Sequence, residues 1–300
     1  MESKNKEDEE EKSSYESLPK SSNDKLLLNN PRIMASIQTK FEDFENELQG
    51  VACLSEKEIW TCGNENDSII LYNLQGEEIK CINTKSGNMP WDIAVTKLGD
   101  LCYTDAKERT SNIFKNSYSG IHEVIRLESW IPRNLCCDSS GDFLVIMDSN
   151  DAKQSKVVRY AGNIEKQTIQ YSEKDERLYS SSSFKYICEN KHLEICVADK
   201  VANAVVVVSH SGLLRFTYTG HSSQMSFTPV GIATDSTCLI LVVDHDHQII
   251  HAVDQDGQFI SYIKNCNLQS PWAICVVSKD RLFVAESLTG QVKNIEYKNV

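Results

Sequence analysis

Apolar and polar residues along this chain fall into short blocks that recur in one fixed order. Residues 90–105, PWDIAVTKLGDLCYTD, show it plainly: a proline, an apolar strand, a polar turn, and a second apolar strand ending on an acid. Residues 271–286 and 229–244 repeat the order at the same length, and 132–148 repeats it with one extra residue. Two further copies, 48–63 and 184–199, lack the proline. The central apolar residues of the first strands are Val51, Ile93, Leu135, Ile187, Ile232 and Ile274, at spacings of 42, 42, 52, 45 and 42. That period, filled by four short strands, is the size of one propeller blade.

The strands of the fifth unit can be followed singly: 230–234, 238–243, 248–253 and 258–263, with Gln255-Asp256-Gly257 as the last turn. Segments such as 204–208 (AVVVV) are apolar throughout, as strands covered on both faces by neighbouring blades should be. The sixth unit runs out of chain after three strands. An outer strand is available upstream, because Ser36-Ile37-Gln38-Thr39-Lys40 echoes Cys81-Ile82-Asn83-Thr84-Lys85 of the first unit. The expectation is an all-β, six-bladed propeller over residues 31–300, with 33–39 completing the last blade and removing an exposed sheet edge. Residues 1–30, charged and serine-rich, read as a disordered tail.

Composition adds limits. Eight acids and five lysines in the first 25 residues give that segment −3 of the net −12. The remaining −9 argues against generic binding to a phosphate backbone, though not against a local basic face. The eleven cysteines are odd in number and form no C-x-x-C pair. With no apolar segment of signal-peptide or membrane-span type, they point to a reduced, cytoplasmic chain away from membranes.

Pro229-x-Gly231-Ile232-Ala233, Asp244, His247-Gln248-Ile249 and Asp254-x-x-Gly257-x-Phe259 resemble the NHL repeat. GVACL at Gly50, IWTCG at Ile59, LYNLQGE at Leu71 and SGNMPWDIAV at Ser86 resemble, more closely, the C-terminal propellers of invertebrate tripartite-motif proteins. VIMDSNDAKQSKVVRY at Val145, VADKVANAVVVV at Val197 and FVAE at Phe283 continue the likeness. Members of that family carry a RING, B-boxes and a coiled coil ahead of the propeller. No cysteine precedes Cys53 here, so the family's ligase activity does not carry over. What the resemblance implies is a non-catalytic adaptor propeller of the ubiquitin pathway that recognises protein partners. The alternatives are single-stranded RNA binding through the loop face and, behind it, a lactonase or hydrolase with a metal in the channel.

The acids that close the second strands, Asp105, Asp148, Asp199, Asp244 and Glu286, recur too regularly for a dedicated site and are expected to cap turns. Interest shifts to the loop face, where Trp91, Arg133, Val230 and Trp272 should surround the channel mouth. Lys107, Arg109, Lys153, Lys200, His245 and His247 should lie nearby on the same face. Trp and Arg dominate binding hot spots, although both tryptophans could equally pack as core. The third unit lengthens two loops of this face, 149–156 and 171–183. Asp244-His245-Asp246-His247 offers two metal ligands and lacks a third. The inner strands offer only Asp92 and Asn134 as polar groups, a thin set for a divalent cation. Neither a cofactor nor a catalytic residue is expected.

Overall fold

The computed structural model describes residues 27–43, 45–115, 120–181, 184–222 and 225–299. The expected tail falls mostly on residues 1–26, outside the described residues, while residues 27–30 already belong to a strand. Six antiparallel sheets, numbered here as blades 1 to 6, follow one another along the chain. Their inner strands are Asn46–Cys53, Asp92–Val95, Trp130–Cys137, Lys185–Glu189, Pro229–Thr234 and Pro271–Val277. The architecture is a six-bladed β-propeller.

The recurring sequence unit is the inner hairpin of each blade. Pro229 pairs with Asp244, and Pro271 with Glu286, so the unit's first and last residues face each other across the ladder. Second and third strands are almost wholly buried: Ile195–Asp199 and Ala204–Val208 have no exposed residue. Their apolar side chains fill clusters between adjacent sheets, as with Leu144, Val157 and Ile169 of blade 3 against Ile195 and Val206 of blade 4. Outer strands such as Leu214–Tyr218 are half exposed. Period-two alternation therefore survives only at the rim.

Leu27–Gln38 pairs antiparallel with Gln291–Lys298, placing Ile37 opposite Val292 and Ile33 opposite Ile295. Blade 6 is thus completed from the upstream end, by a strand that starts earlier than its central echo of blade 1 suggests. The same seam carries a covalent link absent from the expected all-reduced chain. Cys53 and Cys275 form a disulfide, with Cα atoms 6.2 Å apart, because ring closure sets the inner strands of blades 1 and 6 side by side. The other nine cysteines are free. Among the described residues no helix is long and apolar enough to cross a membrane.

Candidate functional site

The connection from each outer strand to the next blade enters the inner strand on one face of the ring. Two positions ahead of the apolar marker residues this face carries Gln49, Trp91, Arg133, Lys185, Val230 and Trp272. Trp91 and Trp272 come from blades 2 and 6, and a third aromatic, Phe184, precedes the inner strand of blade 4. Phe184 stacks on Trp91, with centroids 5.5 Å apart and planes 15° apart, and meets Trp272 edge-on at 5.3 Å. Three rings from alternate blades therefore meet across the channel mouth.

Charges brace these rings. The Arg133 guanidinium lies 4.2 Å from the Trp91 ring centroid, while its Nε donates to Asp148 at 2.9 Å. Lys200 stands 4.9 Å above the Trp272 ring, and His245 meets that ring edge-on at 5.2 Å. Lys185 is buried, and burial pulls its ammonium below the ordinary range against the opposing pull of Asp199 and Asp148.

One residue further into the channel stand Gly50, Asp92, Asn134, Tyr186, Gly231 and Ala273. The Asp92 carboxylate is 7% exposed and forms no ion pair among the described residues. Burial pushes its pKa up to about 7, against hydrogen bonds from the Leu135 and Ile93 N–H groups and the Asn134 side chain. The Tyr186 hydroxyl donates to the Gln49 carbonyl at 3.0 Å, and burial holds this phenol well above its usual range.

Around this layer, Gln49 Oε1, Trp91 Nε1 and Asn134 Oδ1 are buried without a hydrogen-bond partner among the described residues, and the Trp272 indole N–H faces the Tyr186 hydroxyl. Each such atom costs about 1–3 kcal/mol, so three around one channel layer make a surface prepared for a polar guest. The layer separates two cavities. The inner one, about 250 Å³, is lined by Asp92, Tyr186 and the apolar inner strands. The outer one, about 280 Å³, is floored by Trp91, Phe184 and Trp272.

The acid column has the capping role its recurrence implies. Asp105 accepts from the N–H groups of Lys107 and Glu108 at 3.0 and 2.8 Å. Asp199 accepts from the N–H groups of Ser180 and Ala202 at 2.8 and 3.1 Å. Thr228 N–H reaches Asp244 at 3.3 Å and Gln269 N–H reaches Glu286 at 2.8 Å. Each acid ties its own blade's entry loop or the turn that follows it. Asp148 departs from the pattern, binding Arg133 and Ser155 side chains instead.

Of the residues expected on this face, the structure gathers Trp91, Arg133, Trp272, Lys200 and His245 at the mouth. His247 lies beside them but is held by Asp244 at 2.9 Å. Val230 is 1% exposed and packs as core. Lys107, Arg109 and Lys153 do not line the mouth cavity. Among the described residues no group of three or more His, Cys, Asp or Glu is arranged to hold a metal ion. Sequence reasoning missed Phe184, which stands after an irregular connection. The signal was there: an aromatic directly ahead of an inner strand, one position before the register of Trp91 and Trp272.

No family model matches the chain, and no curated protein matches it in sequence. Solved six-bladed structures do resemble it. A propeller assigned as a gluconolactonase aligns with a TM-score of 0.67 at 11% identity, covering 94% of this chain and 97% of its own. Virginiamycin B lyase from Staphylococcus aureus aligns at 0.64 and 12%, covering 90% of this chain and 100% of its own. Regucalcin from Agrobacterium tumefaciens, described as a calcium-binding protein, aligns at 0.65 and 12%, covering 89% and 94%. At such identities the shared property is the fold.

These comparisons correct the expectation of a non-catalytic adaptor of tripartite-motif type. That expectation rested on blade-period motifs, many of which prove to be strand and turn residues, and the similar propellers bear the names of a lactonase and a lyase. The channel holds a buried carboxyl, Asp92, whose pKa burial raises to about 7, beside polar atoms unpaired among the described residues. The expectation of no enzymatic activity is revised with it. A calcium ion fits this channel poorly, since Asp92 is the one free carboxylate of the layer among the described residues and calcium takes about six to eight oxygen ligands.

Proposed function

We propose that this propeller is an enzyme of lyase or lactonase type, opening an ester or lactone bond by proton transfer at Asp92. The observation that carries the reading is the Asp92 carboxyl itself, buried, without a cation partner among the described residues and raised by burial to about 7. A group with that pKa exchanges protons in both directions near neutrality, which suits general acid–base work. In an elimination, the carboxylate takes a proton from carbon while the electron pair of that C–H bond forms a double bond and expels the leaving oxygen. In a hydrolysis it takes a proton from the attacking water.

The surroundings support either course. The indole N–H of Trp91 lacks a partner among the described residues, while that of Trp272 faces the Tyr186 hydroxyl, and a fixed unpaired donor stabilises charge that develops on a carbonyl oxygen. The rings at the mouth shield the layer from bulk water, which strengthens every electrostatic interaction beneath them. The NHL-repeat likeness of residues 229–259 enters the proposal only as a description of blade architecture.

The test is turnover of a panel of lactones and esters, gluconolactone and a streptogramin B included, by wild type and Asp92→Asn. The expected result is activity with an inflection in kcat/KM near pH 7 that the amide variant loses, falling at least 100-fold. Equal activity in the two proteins, or none on the whole panel, overturns the proposal.

A further inference from the structure

The outer cavity has a chemical bias of its own. Its wall on the blade 1 side is made by Glu47, Asn64 and Glu65, and its floor by Trp91, Phe184 and Trp272. The Glu47 carboxylate is half-buried and that of Glu65 exposed, and neither forms an ion pair among the described residues. On the opposite side the cations are already committed. Arg133 is bound to Asp148 and stacked on Trp91, and Lys200 lies over Trp272.

An independent observation gives the same bias. Gln49, 7% exposed, lines this cavity and leaves its Oε1 acceptor without a partner. Asn64 Oδ1 accepts from the Glu47 N–H at 2.9 Å, which fixes the strand end that carries the first carboxylate. The wall thus presents acceptors and negative charge above an aromatic floor. A guest that satisfies it brings N–H donors, positive charge and an apolar body.

We propose that the outer cavity is a subsite for a protonated amine carried by an apolar or aromatic group. In this arrangement the ammonium lies between Glu47, Glu65 and Gln49 Oε1, and its apolar body rests on Phe184 and the two indoles. As a statement about substrate, this rests on the enzymatic reading above: an amine-bearing substrate is captured at the mouth, on the other side of the ring layer from Asp92. As a statement about binding, it stands apart from any turnover.

Phenethylamine, phenethyl alcohol and phenylacetate share one apolar body and differ in charge. Their affinities, read by calorimetry and by the indole N–H resonances of Trp91 and Trp272, test the proposal without any reaction. The amine is expected to bind at least tenfold more tightly than the alcohol, and phenylacetate more weakly than either. Glu47→Gln combined with Glu65→Gln should remove the preference for the amine while leaving the alcohol's affinity in place. That unchanged alcohol affinity also reports an intact fold. Equal binding of amine and alcohol to the wild type, or an undiminished amine preference in the double variant, overturns the subsite. Amine binding without turnover of any ester leaves the subsite standing and removes the enzymatic reading alone.

Discussion

The Oδ2 atom of Asp92 accepts a hydrogen bond from the Leu135 N–H at 3.0 Å, joining the inner strands of blades 2 and 3. The bond holds the carboxyl in a layer where burial raises its pKa from 3.8 to about 7. Below the lower value the group is protonated in folded and unfolded chains alike. Between the two values the unfolded chain loses the proton and the folded chain keeps it, so stability falls as pH rises through this window. Above about 7 the whole penalty is present. Asp92→Asn keeps the shape and removes the titration. It should flatten the pH dependence of urea unfolding and make the variant more stable above neutrality, by up to ~4 kcal/mol. Parallel stability curves for the two proteins would contradict the assignment.

The disulfide between Cys53 and Cys275 spans 222 residues and crosses the seam where the ring closes. The outer strand Leu27–Gln38 closes blade 6 independently, by backbone pairing at the rim. Loss of the inner link should therefore loosen the ring without abolishing it. Cys53→Ser is expected to lower stability by about 2–4 kcal/mol. Dithiothreitol should lower the wild-type stability to that of the variant and leave the variant unmoved. A variant that still responds to reductant would show that another thiol pair carries the effect.

How much of this was readable beforehand follows from the range over which each feature is encoded. The inner hairpin was legible because its defining residues are neighbours in the ladder: Pro271 opens the unit that Glu286 closes, and the two are paired. Closure was legible because the outer strand of blade 6 repeats the pattern of blade 1. The Cys53–Cys275 link was not, since nothing local in either strand says that the two sulfurs meet. Asp92 and Asn134 were recognised as the polar residues of the channel but weighed only as metal ligands. Their value as a proton-transfer site depends on burial, and burial arises from six strands that sequence periodicity orders without measuring. Phe184 is an aromatic directly ahead of an inner strand, and its role rests on ring contacts with Trp91 and Trp272 that come from other blades.

At Gly231 the inner strands of blades 5 and 6 approach backbone to backbone. A Cβ added there would lie 2.4 Å from the Trp272 carbonyl oxygen and 2.9 Å from Ala273 Cα. Both are backbone atoms and cannot swing aside. Gly231→Ala should therefore part blades 5 and 6 beside the mouth, costing about 1–3 kcal/mol. It should also disturb the Trp272 indole resonance more than that of Trp91. A fully stable variant with an unchanged Trp272 signal would place the two strands farther apart than described here.

Arg133 links the aromatic mouth to the acid column, since it stacks on Trp91 and bonds Asp148 at once. The Asp148 carboxylate is almost wholly buried and the Arg133 side chain is 19% exposed, so solvent screens their attraction only in part. Truncation in Arg133→Ala leaves Asp148 with the Ser155 hydroxyl at 2.6 Å as its remaining bond of known geometry, beside the buried Lys185 ammonium. Breaking a buried pair by removing one partner costs about 3–5 kcal/mol. Partial exposure and the nearby ammonium bring the expectation here down to about 2–3 kcal/mol. Arg133→Lys retains the charge but not the flat face that lies against the indole, because an ammonium is a compact point charge. The lysine variant should recover most of the stability while leaving the Trp91 ring freer to move. Stability measured by chemical unfolding would then separate from Trp91 fluorescence anisotropy, the first restored and the second still lowered. Recovery of both by lysine would make charge alone the role of Arg133, and failure to recover either would make the directed Nε hydrogen bond to Asp148 the dominant contribution.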